Sequence, residues 1–357
     1  MPKEITHWLI ADAVRQRLAA TQQPRALPSA STSHTSLDTR LDTRLNADLD
    51  ATLVRLGATF HDVMYYVPRI KGYEPFFHVA DILHGSRGED TFELVRFLGE
   101  DIVKNSDKPS LQAALRSFLL GAVTHICTDS TFHPLIYWAS GNWHGKNLFA
   151  AHRKHRILES AIDLHFTHAT PNLSAIRAFS MPTMLHLAGK SIRAVSALVA
   201  RHPYWQAWKL LGRKVCADAV WRGYANLAFA RRWCHNPLGN ALIRRFERLL
   251  PVRVQSLTAL RYGYEFWGHS TLLHNQISYL HPVTGEPHHT SLAELFETAV
   301  RESVDLWGSI EADVNAGRIP LMSERGASLE LGLKEVPARA MRYFWNEKET
   351  QKPTKHE

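Results

Sequence analysis

Leu115-Arg-Ser-Phe-Leu-Leu-Gly-Ala-Val-Thr-His125-Ile-Cys-Thr-Asp129-Ser-Thr-Phe-His133 carries the most informative pattern in the chain. Residues four apart on an α-helix differ by about 40° around the axis and by about 6 Å along it. His125, Asp129 and His133 therefore form a ladder on one face, roughly 12 Å from end to end. The apolar residues ahead of them, Leu115, Phe118, Leu119, Leu120, Ala122 and Val123, make this a buried helix. An unpaired carboxylate on such a helix is costly. A bound cation removes that cost, and the middle carboxylate can bridge two metals while each flanking histidine serves one. A hydrogen-bonded polar seam between helices is the competing reading of the same three residues.

Helical periodicity continues on both sides of this segment. The helix that holds it is expected from Leu111 to about His133, because Pro134 disfavours α geometry in the residue before it. Ile5 to Leu18, Asn46 to Ala58, Leu94 to Asn105 and Ala150 to His165 repeat the pattern. Residues 57–85, rich in aromatics and proline, read as loop with short turns, and residues 134–148 as a further loop. Residues 22–45, crowded with Pro, Ser and Thr, read as a mobile insertion, and 347–357 as a flexible tail. Beyond Pro171 the pattern stays helical to about Ala316, interrupted at His202-Pro, Asn236-Pro-Leu-Gly and His281-Pro-Val-Thr-Gly. No β-alternation of useful length is visible. The expectation is an all-α fold: a metal-binding region over 1–170, and a C-terminal helical region over 171–320 packed on it as one continuous domain.

Composition narrows the classes. The chain has 357 residues, 45% apolar and 21% charged, enough to bury a sizeable core. No run approaches the ~18 apolar residues of a membrane span, and the N-terminus lacks a secretory pattern, so a cytoplasmic location is expected. Three cysteines (Cys127, Cys216, Cys234), none in a CxxC pair, argue against a disulfide framework and read as small buried hydrophobes. The 42 Lys and Arg against 34 Asp and Glu give a net charge of +8, which favours phosphates, nucleic acid or an anionic membrane surface. Nothing points to an obligate protein partner. The 21 histidines are the more pointed number, because histidine is the commonest metal ligand.

Those histidines cluster with acids in the first half. His155 and Glu159 stand four apart, a nitrogen and an oxygen donor at a spacing suited to zinc, with His152 and Asp163 one turn to either side. An exposed pair on a helix surface would have the same spacing. Upstream lie His7 on the first helix, His61-Asp62, and His78 and His84 in the aromatic segment. His269, His274 and His281 lack carboxylates at chelating spacing, and His288-His289 is expected at the surface.

Thr6-His7, Gly57 with Asp62, Phe77-His78 leading to His84-Gly85, the His125-x3-Asp129-x3-His133 core and His155-x3-Glu159 together resemble the bacterial zinc-dependent phospholipase C family. That family also supplies the N-terminal domain type of glycosylphosphatidylinositol-specific phospholipase D and is related to the zinc-dependent single-strand nucleases. The resemblance covers residues 1 to about 170. It implies a multi-helix fold enclosing up to three divalent metals, usually zinc. Asp129 would bridge two of them; Asp62, His84 and His125 would complete one site, with His78 as the alternative to His84. His7 would serve the neighbouring metal, and His133, His155 and Glu159 the third. His152 and Asp163 are further alternates. Iron, manganese or nickel suit the same donors.

Two departures stand out. Secreted relatives use a processed N-terminal tryptophan as a ligand, whereas here six residues precede His7. Many members have proline where His61 stands; His61 reads as an added ligand or as a surface residue, and the surface is the favoured expectation. The activity implied is hydrolysis of a phosphodiester, phospholipid or nucleotide-like, by metal-activated water, with Asp62 orienting or deprotonating that water. Tyr65, Tyr66, Phe76, Phe77, Tyr137 and Trp143 are candidates to line a cleft. A nuclease, a small-molecule phosphodiesterase and a non-catalytic metal-binding helical protein remain open alternatives.

Overall fold

The computed structural model describes residues 3–21, 49–67, 75–143, 147–169, 181–199, 212–234, 237–251, 254–255, 258–259, 276–320, 322 and 324–345. The insertion expected at 22–45, the tail at 347–357, the side chains of Phe76, Phe77, His78, Cys216 and Cys234, and residues His202, His269 and His274 lie outside the described residues. In chain order the helices are α1 (Glu4–Thr21), α2 (Ala51–Gly57), α3 (Phe60–Val63), α4 (Pro75–Leu83), α5 (Glu93–Lys104) and α6 (Pro109–Ser140). They continue with α7 (Leu148–Ala169), α8 (Met181–Leu187), α9 (Gly189–Val199), α10 (Gly212–Cys234), α11 (Pro237–Phe246) and α12 (Leu292–Asn315). The fold is all-α apart from one small hairpin described below. No helix among the described residues is long and apolar enough to cross a membrane.

The 32-residue helix α6 is the axis of the molecule, buried from Ala114 to Asp129 and again from Phe132 to Ser140. Helices α1, α2, α5, α7, α9 and α12 pack around it. Its closest neighbour is α2, and two glycines explain how close: a Cβ on Gly121 would stand 2.0 Å from the Val54 carbonyl oxygen, and one on Gly57 2.1 Å from that of Phe118. The two backbones therefore touch directly, which carries the end of α2 onto the metal-ladder face of α6. One continuous apolar core links Trp8 and Ile10 of α1 through Phe60, Phe118 and Phe132 to Trp307 and Leu329.

Four expectations are corrected. Helix α6 does not stop at Pro134 but runs through it to Ser140. Proline costs a helix about 3 kcal/mol, and burial of Leu135, Ile136, Tyr137 and Trp138 beyond it offsets that. Residues 57–85 are not chiefly loop: α3, a 3-10 turn at Met64–Tyr66 and α4 occupy most of the described part. Phe60 and Met64 there are core residues, and Pro75 opens α4, where a missing N–H costs nothing. Residues 134–140 are helix rather than loop, and Gly141, at φ 99°, ends it. Finally, Ile277–Leu280 and Pro287–Thr290 form an antiparallel hairpin in the register Ile277 with Thr290 and Leu280 with Pro287. Its strands are four residues each, too short for alternation to register in sequence. Ser291 then caps α12 through a reciprocal bond pair with Glu294.

Candidate metal centre

His125, Asp129 and His133 project from the middle of α6 into the interior, all three buried. Each imidazole that faces Asp129 from α6 or from the turn after α4 is held by a backbone carbonyl on its far side. His125 Nδ1 lies 2.8 Å from the carbonyl oxygen of Ala58, at the end of α2. His133 Nδ1 lies 2.6 Å from that of Leu329, and His84 Nδ1 2.7 Å from that of Ala80 on α4. A carbonyl can only accept, so each Nδ1 carries the proton and donates it. Each Nε2 is thereby left to present a lone pair to the centre, the usual arrangement behind a metal-binding histidine.

Those lone pairs converge on one carboxylate. Asp129 Oδ2 lies 3.1 Å from His125 Nε2 and 3.6 Å from His84 Nε2. Its other oxygen, Oδ1, lies 3.2 Å from His7 Nε2 and 4.0 Å from His133 Nε2. Asp62 Oδ1 completes the first side, 3.4 Å from His84 Nε2. Donor atoms of Asp62, His84, His125 and Asp129 all lie within 4.8 Å of one another, and so do those of His133, His155 and Glu159. Within the second group, His155 Nε2 and Glu159 Oε1 are 2.8 Å apart.

The donors fit a divalent cation on evidence of their own. Both Asp129 oxygens, both His7 nitrogens, His125 Nε2 and His133 Nε2 are buried with no hydrogen-bond partner. So many unsatisfied polar atoms facing one another cost several kcal/mol between them, at about 1–3 kcal/mol each. Positive charge placed among them removes the cost. The electrostatics agree: burial works against ionisation of Asp129, yet His125, His133 and His7 hold its carboxyl well below the usual range. Burial also works against a charged His84, but Asp62 and Asp129 outweigh it and raise its pKa to about 9, so a cation binding there must displace the Nε2 proton to reach the lone pair. Burial holds His133 and His155 well below the ordinary histidine value, so they stay neutral, as ligands must.

Other residues take different places. Asp163 is no part of either group: its carboxylate accepts from the backbone N–H of Ile5 at 3.2 Å and of Thr6 at 2.9 Å, and from the Thr6 hydroxyl at 2.5 Å. It caps α1 and so fixes His7. His152 packs against the Trp143 ring at 4.1 Å, outside both donor groups. Cys127 is buried on α6, its thiol pushed up to about 12 by burial, a protonated space-filler. Tyr65 approaches His84, while Tyr137 and Trp143 approach His155, with ring centroids 5.4, 4.8 and 4.6 Å away. Of the six aromatic residues expected at a cleft, these three stand beside the donor groups.

The expectation for His61 is overturned. It is fully buried, stacks on His125 at 4.4 Å with an interplanar angle of 2°, and has no hydrogen bond to either ring nitrogen. Burial, with His125 and His84 beside it, holds it well below the ordinary histidine value. The apolar neighbours Phe60, Val63 and Met64 were the available signal. The segment 328–330 gave none, yet it braces the centre: besides the Leu329 carbonyl on His133, Leu329 N–H donates to the carbonyl of His84 at 2.9 Å. Glu330 is buried beside it, accepts from the Ser86 hydroxyl at 2.8 Å, and has its carboxyl pushed up by burial.

Residues 6–188 match the family described as zinc dependent phospholipase C. No curated protein and no solved structure matches. The matched span is more than half of the 357 residues and contains every donor of both groups, while the bracing segment 328–330 lies beyond it. The chain belongs to the zinc-dependent phospholipase C family.

Proposed function

We propose that the chain hydrolyses phosphodiesters, phospholipids first among them, at a centre for up to three zinc ions. Asp129 would be shared, with Asp62, His84 and His125 completing one site, His7 serving its neighbour, and His133, His155 and Glu159 the third. The observation that carries this reading is the Asp129 carboxylate, fully buried, without a hydrogen bond, and faced by imidazoles on both oxygens. Bound zinc supplies a Lewis acid for the phosphoryl oxygens and lowers the pKa of a water toward neutrality.

The chain's own residues do the rest. Asp62 Oδ1 faces His84, which leaves Oδ2 to orient the attacking water and take its proton. The carbonyls of Ala58, Ala80 and Leu329 hold three imidazoles in one tautomer and orientation, so no reorganisation is needed as charge develops. Tyr65, Tyr137 and Trp143 exclude bulk water around the donors.

A panel of phosphatidylcholine, single-stranded DNA and bis-p-nitrophenyl phosphate, assayed with zinc-loaded protein, tests the reading. Hydrolysis of the lipid supports it. Cleavage of DNA alone replaces the substrate class, and inactivity on all three leaves a metal-binding helical protein.

A further inference from the structure

Helix α11 leaves large apolar side chains in water. Leu238 is 75% exposed, Leu242 58% and Phe246 48%, and Leu249, in the 3-10 turn that follows, 80%. Scattered exposed leucines are ordinary, but a contiguous stripe marks an interaction surface. Positions 238, 242 and 246 are each one turn plus 40° apart, a band about 80° wide along the helix. Arg245 borders this band, Arg244 lies further around on the same side, and both are exposed, as is Arg248. Glu247 is the sole acid between 237 and 250. It is turned inward and buried, 3.3 Å from Arg153 and 3.0 Å from the Thr258 hydroxyl. The outward face of 237–250 therefore presents leucine, phenylalanine and arginine with no carboxylate of its own.

That combination selects the occupant. A second copy packed through a twofold contact would bring together two patches that each carry only positive charge. A surface with an apolar interior and anionic headgroups accepts both the leucines and the arginines, as amphipathic helices lying in a bilayer interface do. We infer that α11 and its following turn form an interfacial docking element for an anionic lipid surface. Its place suits that task. The Glu247–Arg153 ion pair ties it to α7 two residues before His155, and Phe149, at the start of α7, is itself exposed. Docking there would bring the chain to the bilayer that holds its substrate. This use of the docking rests on the phospholipid reading above, whereas the docking does not.

Flotation of the zinc-loaded full chain with vesicles tests the inference, comparing phosphatidylcholine alone with phosphatidylcholine containing phosphatidylglycerol. The chain should partition onto the anionic vesicles. L238S/L242S/L249S and R244E/R245E/R248E should each weaken that by about tenfold or more. Both should hydrolyse soluble bis-p-nitrophenyl phosphate at the wild-type rate, which shows that they fold. Failure of the wild type to bind anionic vesicles, or equal binding by the leucine variant, overturns the inference. So does a wild-type dimer that the leucine variant turns into a non-binding monomer. Vesicle binding without any phosphodiester hydrolysis keeps the docking element and removes the hydrolase reading instead.

Discussion

The carbonyl oxygen of Leu329 accepts the Nδ1 proton of His133 across 2.6 Å, from 196 positions further along the chain. The contact depends on a tight turn after Leu329, in which Gly332 adopts φ 66° facing the carbonyl of Ser130, whose helical partner N–H Pro134 lacks. A Cβ there would lie 2.9 Å from that oxygen. Gly332→Ala should therefore cost about 1–2 kcal/mol in denaturant unfolding. It should also weaken zinc at the His133 group by about tenfold in chelator competition. Unchanged zinc affinity would mean that the Leu329 contact does not orient the ligand.

Gly121→Ala should be more severe, because its Cβ meets backbone, not a movable side chain, 2.0 Å away. Helix α2 must shift, and Ala58 with it, so the carbonyl behind His125 is lost as well. A loss of about 3 kcal/mol or more is expected in the denaturant midpoint, together with reduced zinc content.

The fold was legible where one periodicity ran long enough. The ladder on α6 could be read because a spacing of four places three side chains on one face whatever surrounds them. The extension of α6 past Pro134 was not, since it depends on burial supplied by residues 329–341, remote in sequence. His61 was misjudged for a related reason: the rings that pack against it, His84 and His125 of α6, are remote in sequence. Leu329 acts through its main chain, and no side-chain pattern announces a carbonyl oxygen.

Asp163 offers a way to separate capping from ligation. Asp163→Ala removes the bonds to Ile5 and Thr6 and should cost about 1–2 kcal/mol. Loosening the start of α1 should release the metal next to His7 and leave zinc at His133, His155 and Glu159. Loss of all zinc would assign Asp163 a larger part than capping.

The tie between residues 90 and 326 gives a pH signature away from the donors. Burial works against the Asp90 carboxylate, but the N–H groups of Gly326, at 2.7 Å, and Phe92, at 3.0 Å, together with Arg96, hold its pKa below the usual range. A depressed folded pKa contributes stability that is present above the unfolded value and lost as pH falls through the folded one. Asp90→Asn should thus lower the denaturant midpoint near neutral pH, and the gap to wild type should close below about pH 4. A gap that widens on acidification would contradict the assignment.

The most direct test is elemental analysis of purified wild type and Asp129→Ala after zinc loading and desalting. More than a single zinc per chain is expected in wild type. Asp129→Ala should lose the metals that its two oxygens face and keep at most the one held by His133, His155 and Glu159. Equal zinc content in the two proteins, or none in wild type, would contradict the account.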